Sequence, residues 1–223
     1  MSAGARRRRA ARGARRGRFL VLEGLDGAGT TTQARLLGER LRADGRRVHV
    51  TAEPSGGPVG ALLRQVLTRR VVGRDGGELD SRAVALLFAA DRLDHLAVEV
   101  EPKLAGGVDV VSDRFTLSSL AYQGLTTADP GWVEAVNARA AAPDLVVFLR
   151  ARPNVALGRR RAASLDPEIY EEQVFQRRVA RSYERAIERL RALGQRLEVL
   201  DGELPVEDVA AAVYAAVSRV RVR

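Results

Sequence analysis

The sequence predicts an α/β protein, a three-layer sandwich whose central parallel sheet is flanked by helices. Three observations predict it. Short apolar runs alternate with stretches of helical periodicity, the pattern of strands covered on both faces by their connecting helices. The first apolar run enters a glycine-rich turn that opens a helix. The polar residues that stand out (Asp26, Glu53, Asp113, Arg114, Arg150 and Arg152) each follow an apolar run. Ligands of parallel sheets sit beyond the carboxyl ends of the strands, so these side chains gather on one edge.

The elements follow in order. Residues 19–23 predict a buried strand, and residues 30–43 a helix with Ala34, Leu37 and Leu41 on one face, stopped by Asp44-Gly45. Val48, His49, Val50 and Thr51 predict a second strand. A short helix follows over 59–68, then a glycine-rich loop from Val71 to Glu78. A long helix is expected over 80–100, carrying Leu86, Leu87, Phe88 and Leu93. Val108 to Ser112 predicts the third strand, with Asp113-Arg114 at its end. A helix then carries Ser118, Ser119, Tyr122 and Gln123, and another spans 130–140. Leu145 to Leu149 is the fourth strand. Helices are expected over 153–162 and 170–193, a last strand over 197–200 and a last helix over 205–219. There is no internal repeat, and residues 18–223 are expected to form one domain.

Length and composition agree with that reading. A chain of 223 residues, 46% hydrophobic, can bury a large core, and no apolar run reaches membrane-spanning length. With no cysteine, a disulfide framework and a thiolate metal site are both excluded. The cysteine count and the lack of an export signal lead us to expect a cytoplasmic protein. The net charge of +9 is concentrated at the start: Arg6, Arg7, Arg8, Arg9, Arg12, Arg15, Arg16 and Arg18 fall in an acid-free stretch. Residues 1–17 are expected to be a disordered arm. It reads either as a contact for nucleic acid or an anionic surface, or as a solvated tail or an over-extended start. Lys103 is the only lysine. His49 and His95 stand alone in the sequence, with no partner that suggests metal or base chemistry.

The stretch Gly24-Leu25-Asp26-Gly27-Ala28-Gly29-Thr30-Thr31-Thr32 is a phosphate-binding loop without its lysine. Gly24 and Gly29 occupy the glycine positions of the pattern G-x-x-x-x-G-K-[ST], Thr31 the hydroxyl position, and Thr30 stands where lysine is required. The backbone half of an anion site is intact, since consecutive N–H groups and the helix N-terminus converge there. Gly24, Gly27, Ala28, Gly29, Thr30, Thr31 and Thr32 are the candidate nucleotide-binding residues.

Further motifs carry a resemblance. Glu23-Gly24-Leu25-Asp26-Gly27-Ala28-Gly29, Thr51-Ala52-Glu53-Pro54, Leu86-Leu87-Phe88-Ala89-Ala90-Asp91-Arg92 and Val110-Val111-Ser112-Asp113-Arg114-Phe115 come in the order found in the thymidylate kinase family. So do Ser118-Ser119-Leu120-Ala121-Tyr122-Gln123-Gly124 and Pro143-Asp144-Leu145. The chain resembles that family over about residues 18–215. The resemblance implies a P-loop fold of nucleotide-kinase type, transfer of the ATP γ-phosphoryl group to dTMP with Mg²⁺, and a homodimer.

Roles carry over by matched position. The resemblance implies that Asp26 accepts a hydrogen bond from the deoxyribose 3′-OH and belongs to the catalytic set. Arg64 and Arg114 contact the acceptor phosphate. Phe88 stacks on thymine, although it reads equally well as core. Arg92 bonds the base, and Ser119 and Gln123, one helical turn apart, read its edge. Thr31, with Asp113 or Glu53, holds Mg²⁺, and Glu53 is also expected at the substrate site. The segment 159–170 resembles the family's lid, and Arg160 and Arg161 are its candidate catalytic arginines. Asp166-Pro167-Glu168-Ile169-Tyr170-Glu171 stands where the family has D-R-x-E.

The chemistry fits those assignments. Phosphoryl transfer between two phosphates needs no base to make a nucleophile, only alignment and charge neutralisation, for which arginine forks and Mg²⁺ are suited. Arg150, Arg152, Arg159, Arg160 and Arg161 are the arginines expected near the donor phosphates. A charged hydrogen bond to phosphate is worth about 1.5–3 kcal/mol. Losing one at the transition state slows turnover by about a hundredfold unless another group replaces it. Three readings therefore stand: an active dTMP kinase with a substitute charge, a kinase for another nucleoside monophosphate, or a weak or inactive nucleotide-binding relative whose basic arm touches nucleic acid.

Overall fold

The computed structural model describes residues 15–162 and 169–220, apart from the side chains of residues 160–162 and 169–172. Five strands form one parallel sheet: β1 Phe19–Gly24, β2 Val48–Ala52, β3 Asp109–Asp113, β4 Leu145–Arg150 and β5 Leu197–Asp201. Their order across the sheet is β2-β3-β1-β4-β5. The chain moves from β1 outward to β2, returns to β3 and crosses to β4, so the order reverses around β1. That reversal is where an open parallel sheet leaves a crevice at its carboxyl edge.

The helices are α1 Thr30–Ala43, α2 Pro58–Leu67, α3 Ser81–His95, α4 Glu101–Ala105, α5 Thr116–Thr126, α6 Pro130–Asn137, α7 Pro153–Ala162, α8 Ile169–Ala192 and α9 Val206–Ser218. α1 packs with α9, and α5 with α8, over the sheet. Every residue of β1 is buried, and β4 is buried up to Arg150. This is why both read as near-continuous apolar runs, whereas the edge strands β2 and β5 are only half-buried.

Two helices differ from expectation. The long helix over 80–100 is α3 to His95, a π-helical turn at Leu96–Val100, and then α4. Pro102 has no N–H to give an α-type ladder at this point, and the wider turn precedes it. The helix expected over 130–140 stops at Asn137. The structured body also begins before residue 18. The Gly17 N–H donates to Leu104 O at 2.8 Å, and Arg16 pairs with Asp144 at 2.9 Å. A side chain at Gly17 would meet Val108 O at 1.9 Å, so glycine is required there. Residues 1–14 of the expected arm, and residues 163–168 of the expected lid, lie outside the described residues.

At the amino edge of the sheet, Asp109 is fully buried and bonded by Arg18 from β1's approach and by Arg46 from the turn before β2. Burial alone would raise the Asp109 pKa. The hydrogen bonds from Arg46 and Arg18 outweigh it and hold the carboxyl down at about 2. No helix among the described residues is long and apolar enough to cross a membrane.

Candidate active site

The phosphate loop leaves β1 and turns into α1. Gly29, at φ 96°, is the residue before the helix, a conformation that penalises any side chain. A Cβ on Gly24 would fall 2.9 Å from Ala28 Cβ and 3.0 Å from Leu149 O. No side chain caps α1 and its first turn holds no acid, so its N-terminal N–H groups remain available to an anion.

Among the described residues, two cavities on this edge share Asp26 of the loop. The larger, about 810 Å³, is lined by Gly27 to Gln33 of the loop and helix, by Arg159, and by the Gly202–Val206 segment before α9. The smaller, about 260 Å³, brings together Asp26, Glu53, Phe88, Arg92, Arg114, Ser119 and Gln123, all of them expected acceptor-site residues. Asp26 and Arg114 line both cavities. Gly24 is buried beneath the loop, and its carbonyl accepts the Tyr183 hydroxyl at 3.0 Å. Arg64 does not line the small cavity. It is exposed and donates to the carbonyls of Pro54 (3.1 Å) and Ser55 (2.6 Å).

At the junction, Arg114 Nη2 lies 2.5 Å from Asp26 Oδ1, and the Tyr122 hydroxyl donates to Asp26 Oδ2 at 3.0 Å. Burial, reinforced by the neighbouring Asp26 carboxylate, pushes the Tyr122 phenol up. Arg114 itself has φ 72°, so its guanidinium is aimed by a left-handed backbone turn directly after β3.

Arg92 is buried, 1% exposed, and held on every nitrogen. It bonds Glu53 (2.8 Å from Nη2 and 2.9 Å from Nε), Asn137, the Phe115 carbonyl (3.2 Å) and Ser119 Oγ (3.0 Å). Its guanidinium also lies 5.2 Å from the Phe115 ring centroid. Glu53 is bonded by Arg92 through Oε2 and faces His95 Nδ1 through Oε1 at 3.4 Å. His95 and His49 are therefore not solitary. His95 Nε2 lies 2.9 Å from Thr51 Oγ1, and His49 contacts Glu99.

Thr31 Oγ1 donates to Asp113 Oδ2, while Asp113 Oδ1 is buried without a hydrogen-bond partner. An orphaned carboxylate oxygen beside a threonine hydroxyl at the phosphate loop fits a hard divalent cation. Among the described residues no cluster of three or more His, Cys, Asp or Glu side chains makes a ready-made cage, so phosphate oxygens and water would complete the shell.

The donor side sorts the arginines. Arg159 lines the large cavity, pinned by the Gly202 carbonyl (2.6 Å) and the Glu203 carbonyl (3.1 Å). Arg150 and Arg152 were expected near the donor phosphates but pair instead with Glu184 and Glu203 at the surface. The side chains of Arg160 and Arg161 lie outside the described residues. Lys103 cannot replace the missing lysine, because its carbonyl accepts Val108 N–H at the amino edge of the sheet, opposite the site. Sequence reasoning also missed Glu23, Ser118 and Tyr183, which form a network behind Arg114 in which Glu23 and Tyr183 are fully buried and Ser118 reaches the small cavity. The one available signal was a carboxylate inside an otherwise apolar strand.

A phosphate loop at the reversal of a five-stranded parallel sheet, with an arginine-lined acceptor cavity beside it, defines a P-loop phosphotransferase of the nucleotide-kinase class. A thymidylate kinase family model matches residues 22–213. The chain is 40% identical to a thymidylate kinase of Thermomicrobium roseum, over 92% of this chain and 96% of that one. It is 37% identical to a probable thymidylate kinase of Pyrobaculum aerophilum, over 91% and 97%. A probable thymidylate kinase of Pyrococcus horikoshii is 35% identical, over 91% and 96%. The chain belongs to the thymidylate kinase family.

Proposed function

We propose that this protein transfers the γ-phosphoryl group of ATP to the 5′-phosphate of dTMP, giving dTDP and ADP, in the cytoplasm. The observation that carries the reading is that Asp26 and Arg114 line both cavities, so the two phosphates meet at one ion pair. ATP occupies the large cavity with its phosphates on the N–H groups of Gly27 to Thr32. dTMP occupies the small one. Phe88 forms the wall against which thymine stacks, and Ser119 and Gln123 read the base edge, with Arg92 held rigidly behind them. Asp26 takes the 3′-OH, and Arg114 grips the acceptor phosphate. Arg64 reaches that phosphate only by leaving its two carbonyls.

Thr31 and Asp113 hold Mg²⁺, which when bound neutralises phosphate charge and orients the donor. Glu53, with both oxygens engaged, serves the acceptor wall. The charge missing at Thr30 is supplied by the α1 N-terminus and by Arg159, with Arg160 and Arg161 next to it in the chain. Two copies pair through α3 and the π turn, where Leu86, Leu93 and Val98 are 49%, 42% and 71% exposed.

The test is ADP release in a coupled assay with ATP, Mg²⁺ and dTMP. Release that depends on dTMP is expected. Binding of ATP with no release in the presence of dTMP would overturn the reading.

A further inference from the structure

Glu23 is the only charged residue of β1 and is fully buried. Its Oε1 accepts the backbone N–H groups of Phe115 (2.9 Å) and Ser118 (3.2 Å) at the start of α5. Its Oε2 contacts Ser118 Oγ, which lies 2.9 Å from the Tyr183 hydroxyl, which in turn lies 3.0 Å from the Gly24 carbonyl. A row of oxygens thus runs from the Glu23 carboxyl to the first residue of the phosphate loop. Each of the three contacts needs one proton between its oxygens. The Gly24 carbonyl brings none, and Ser118 and Tyr183 bring one each. An ionised Glu23 therefore leaves one contact with lone pairs facing each other. A neutral Glu23 supplies the third proton, and every contact is then a hydrogen bond. Arg114 Nη1 donates sideways to Ser118 Oγ (3.0 Å) and Tyr183 Oη (3.3 Å), filling remaining lone pairs without placing a proton between the oxygens.

We propose that Glu23 is a positioning residue that works as a neutral carboxylic acid, and that seating phosphate ligands in the neighbouring site draws a proton onto it. The protonated acid donates to Ser118, Ser118 to Tyr183, and Tyr183 to Gly24. This single direction fixes the loop's first carbonyl and the Arg114 guanidinium to the same chain. An ionised Glu23 would instead place a negative charge behind the phosphates, which disfavours both. The identity of those ligands rests on the phosphoryl-transfer reading above.

The groups that face Glu23 are Arg114 from the turn after β3, Ser118 from α5 and Tyr183 from α8, with Asp26 and Tyr122 beyond Arg114. From β4 the paired residue is the uncharged Phe148. Burial opposes the ionised form most strongly, while the Ser118 hydroxyl, the Arg114 charge and the Ser118 and Phe115 N–H groups favour it, leaving the carboxyl pushed up to about 7. The proton comes from solvent. Uptake is therefore near zero at about pH 6, where Glu23 is already neutral, and grows toward one proton per enzyme at about pH 8.

The experiment is calorimetric titration of the full chain with ATP and with dTMP, in buffers of different ionisation enthalpy, for wild type and Glu23→Gln. The amide presents its oxygen to the two N–H groups and its NH₂ to Ser118, so it mimics the neutral acid. The expected result is proton uptake near pH 8 in wild type only, with the ligands' own titration cancelling in the comparison. dTMP turnover of Glu23→Gln should stay within about threefold of wild type at pH 7 and lose the alkaline fall in kcat/KM. Tyr183→Phe frees Ser118 to donate to an ionised Glu23 and should move the wild-type alkaline limb to lower pH. Equal uptake in wild type and Glu23→Gln, or an unmoved limb in Tyr183→Phe, would overturn the proposal. Uptake on ATP binding with no dTMP turnover in wild type would leave this proposal standing and remove the substrate assignment.

Discussion

Arg114 and Asp26 form an ion pair of 2.5 Å at the point where the two cavities meet. Each member of the pair has a second anchor: Ser118 for Arg114 and Tyr122 for Asp26. A guanidinium held on two sides keeps one direction, and charge already in place where it is needed is where preorganisation is most effective.

Removing Arg114 should therefore hurt the acceptor side most. Arg114→Ala is expected to lower kcat/KM for dTMP by about 10–10², the worth of a charged hydrogen bond realised at the transition state. ATP affinity should change far less. In a double-mutant cycle with Asp26→Asn the losses should be non-additive, because each single change leaves the other member unpaired.

Asp113→Asn tests the cation site. The unpartnered Oδ1 becomes an uncharged group, and the Mg²⁺ concentration for half-maximal activity should rise by roughly tenfold or more. Far-ultraviolet circular dichroism should be unchanged. An activity curve against Mg²⁺ that matches wild type would remove Asp113 from the metal shell.

Stability below neutral pH should depend on Asp109. Its folded pKa of about 2 lies below the ordinary 3.8, so the folded state binds the proton less readily than the unfolded chain. The stabilisation is complete above about pH 4 and is lost as pH falls through about 2, amounting to about 2 kcal/mol. Asp109→Ala should cost about 3–5 kcal/mol at pH 7, because Arg18 stays buried without its partner, and urea melts at pH 7 and pH 3 would show it.

Thr30→Lys should give an active enzyme. If the helix N-terminus and Arg159 supply the donor charge now, a lysine adds to them, and kcat should rise by roughly tenfold. Steady-state kinetics at saturating ATP measures this. A dead but folded variant would mean that the loop has been reshaped around a different donor geometry.

Much of this was legible in the sequence. All five strands were, because burial on both faces writes itself as uninterrupted apolar runs. The loop was legible through Gly24 and Gly29, which only backbone geometry demands. Seven residues named from the sequence line one cavity because they fall at the carboxyl ends of strands or on helix faces above them. What stayed hidden was pairing across elements. Tyr183 reaches Gly24 from a helix more distant in sequence than any local pattern spans. Nothing in a single sequence says that Arg159 would line the cavity while Arg150 and Arg152 turn to Glu184 and Glu203. The π turn after His95 was equally silent, since its apolar residues fit an α-helix as well.

The most direct test is the ratio of kcat/KM values for dTMP, dUMP, dCMP, AMP and GMP, read as ADP release with ATP and Mg²⁺. The account predicts that dTMP leads the series and that purine monophosphates give the lowest values. Preference for any other acceptor, or bound ATP with no ADP release in any of the five reactions, would contradict it.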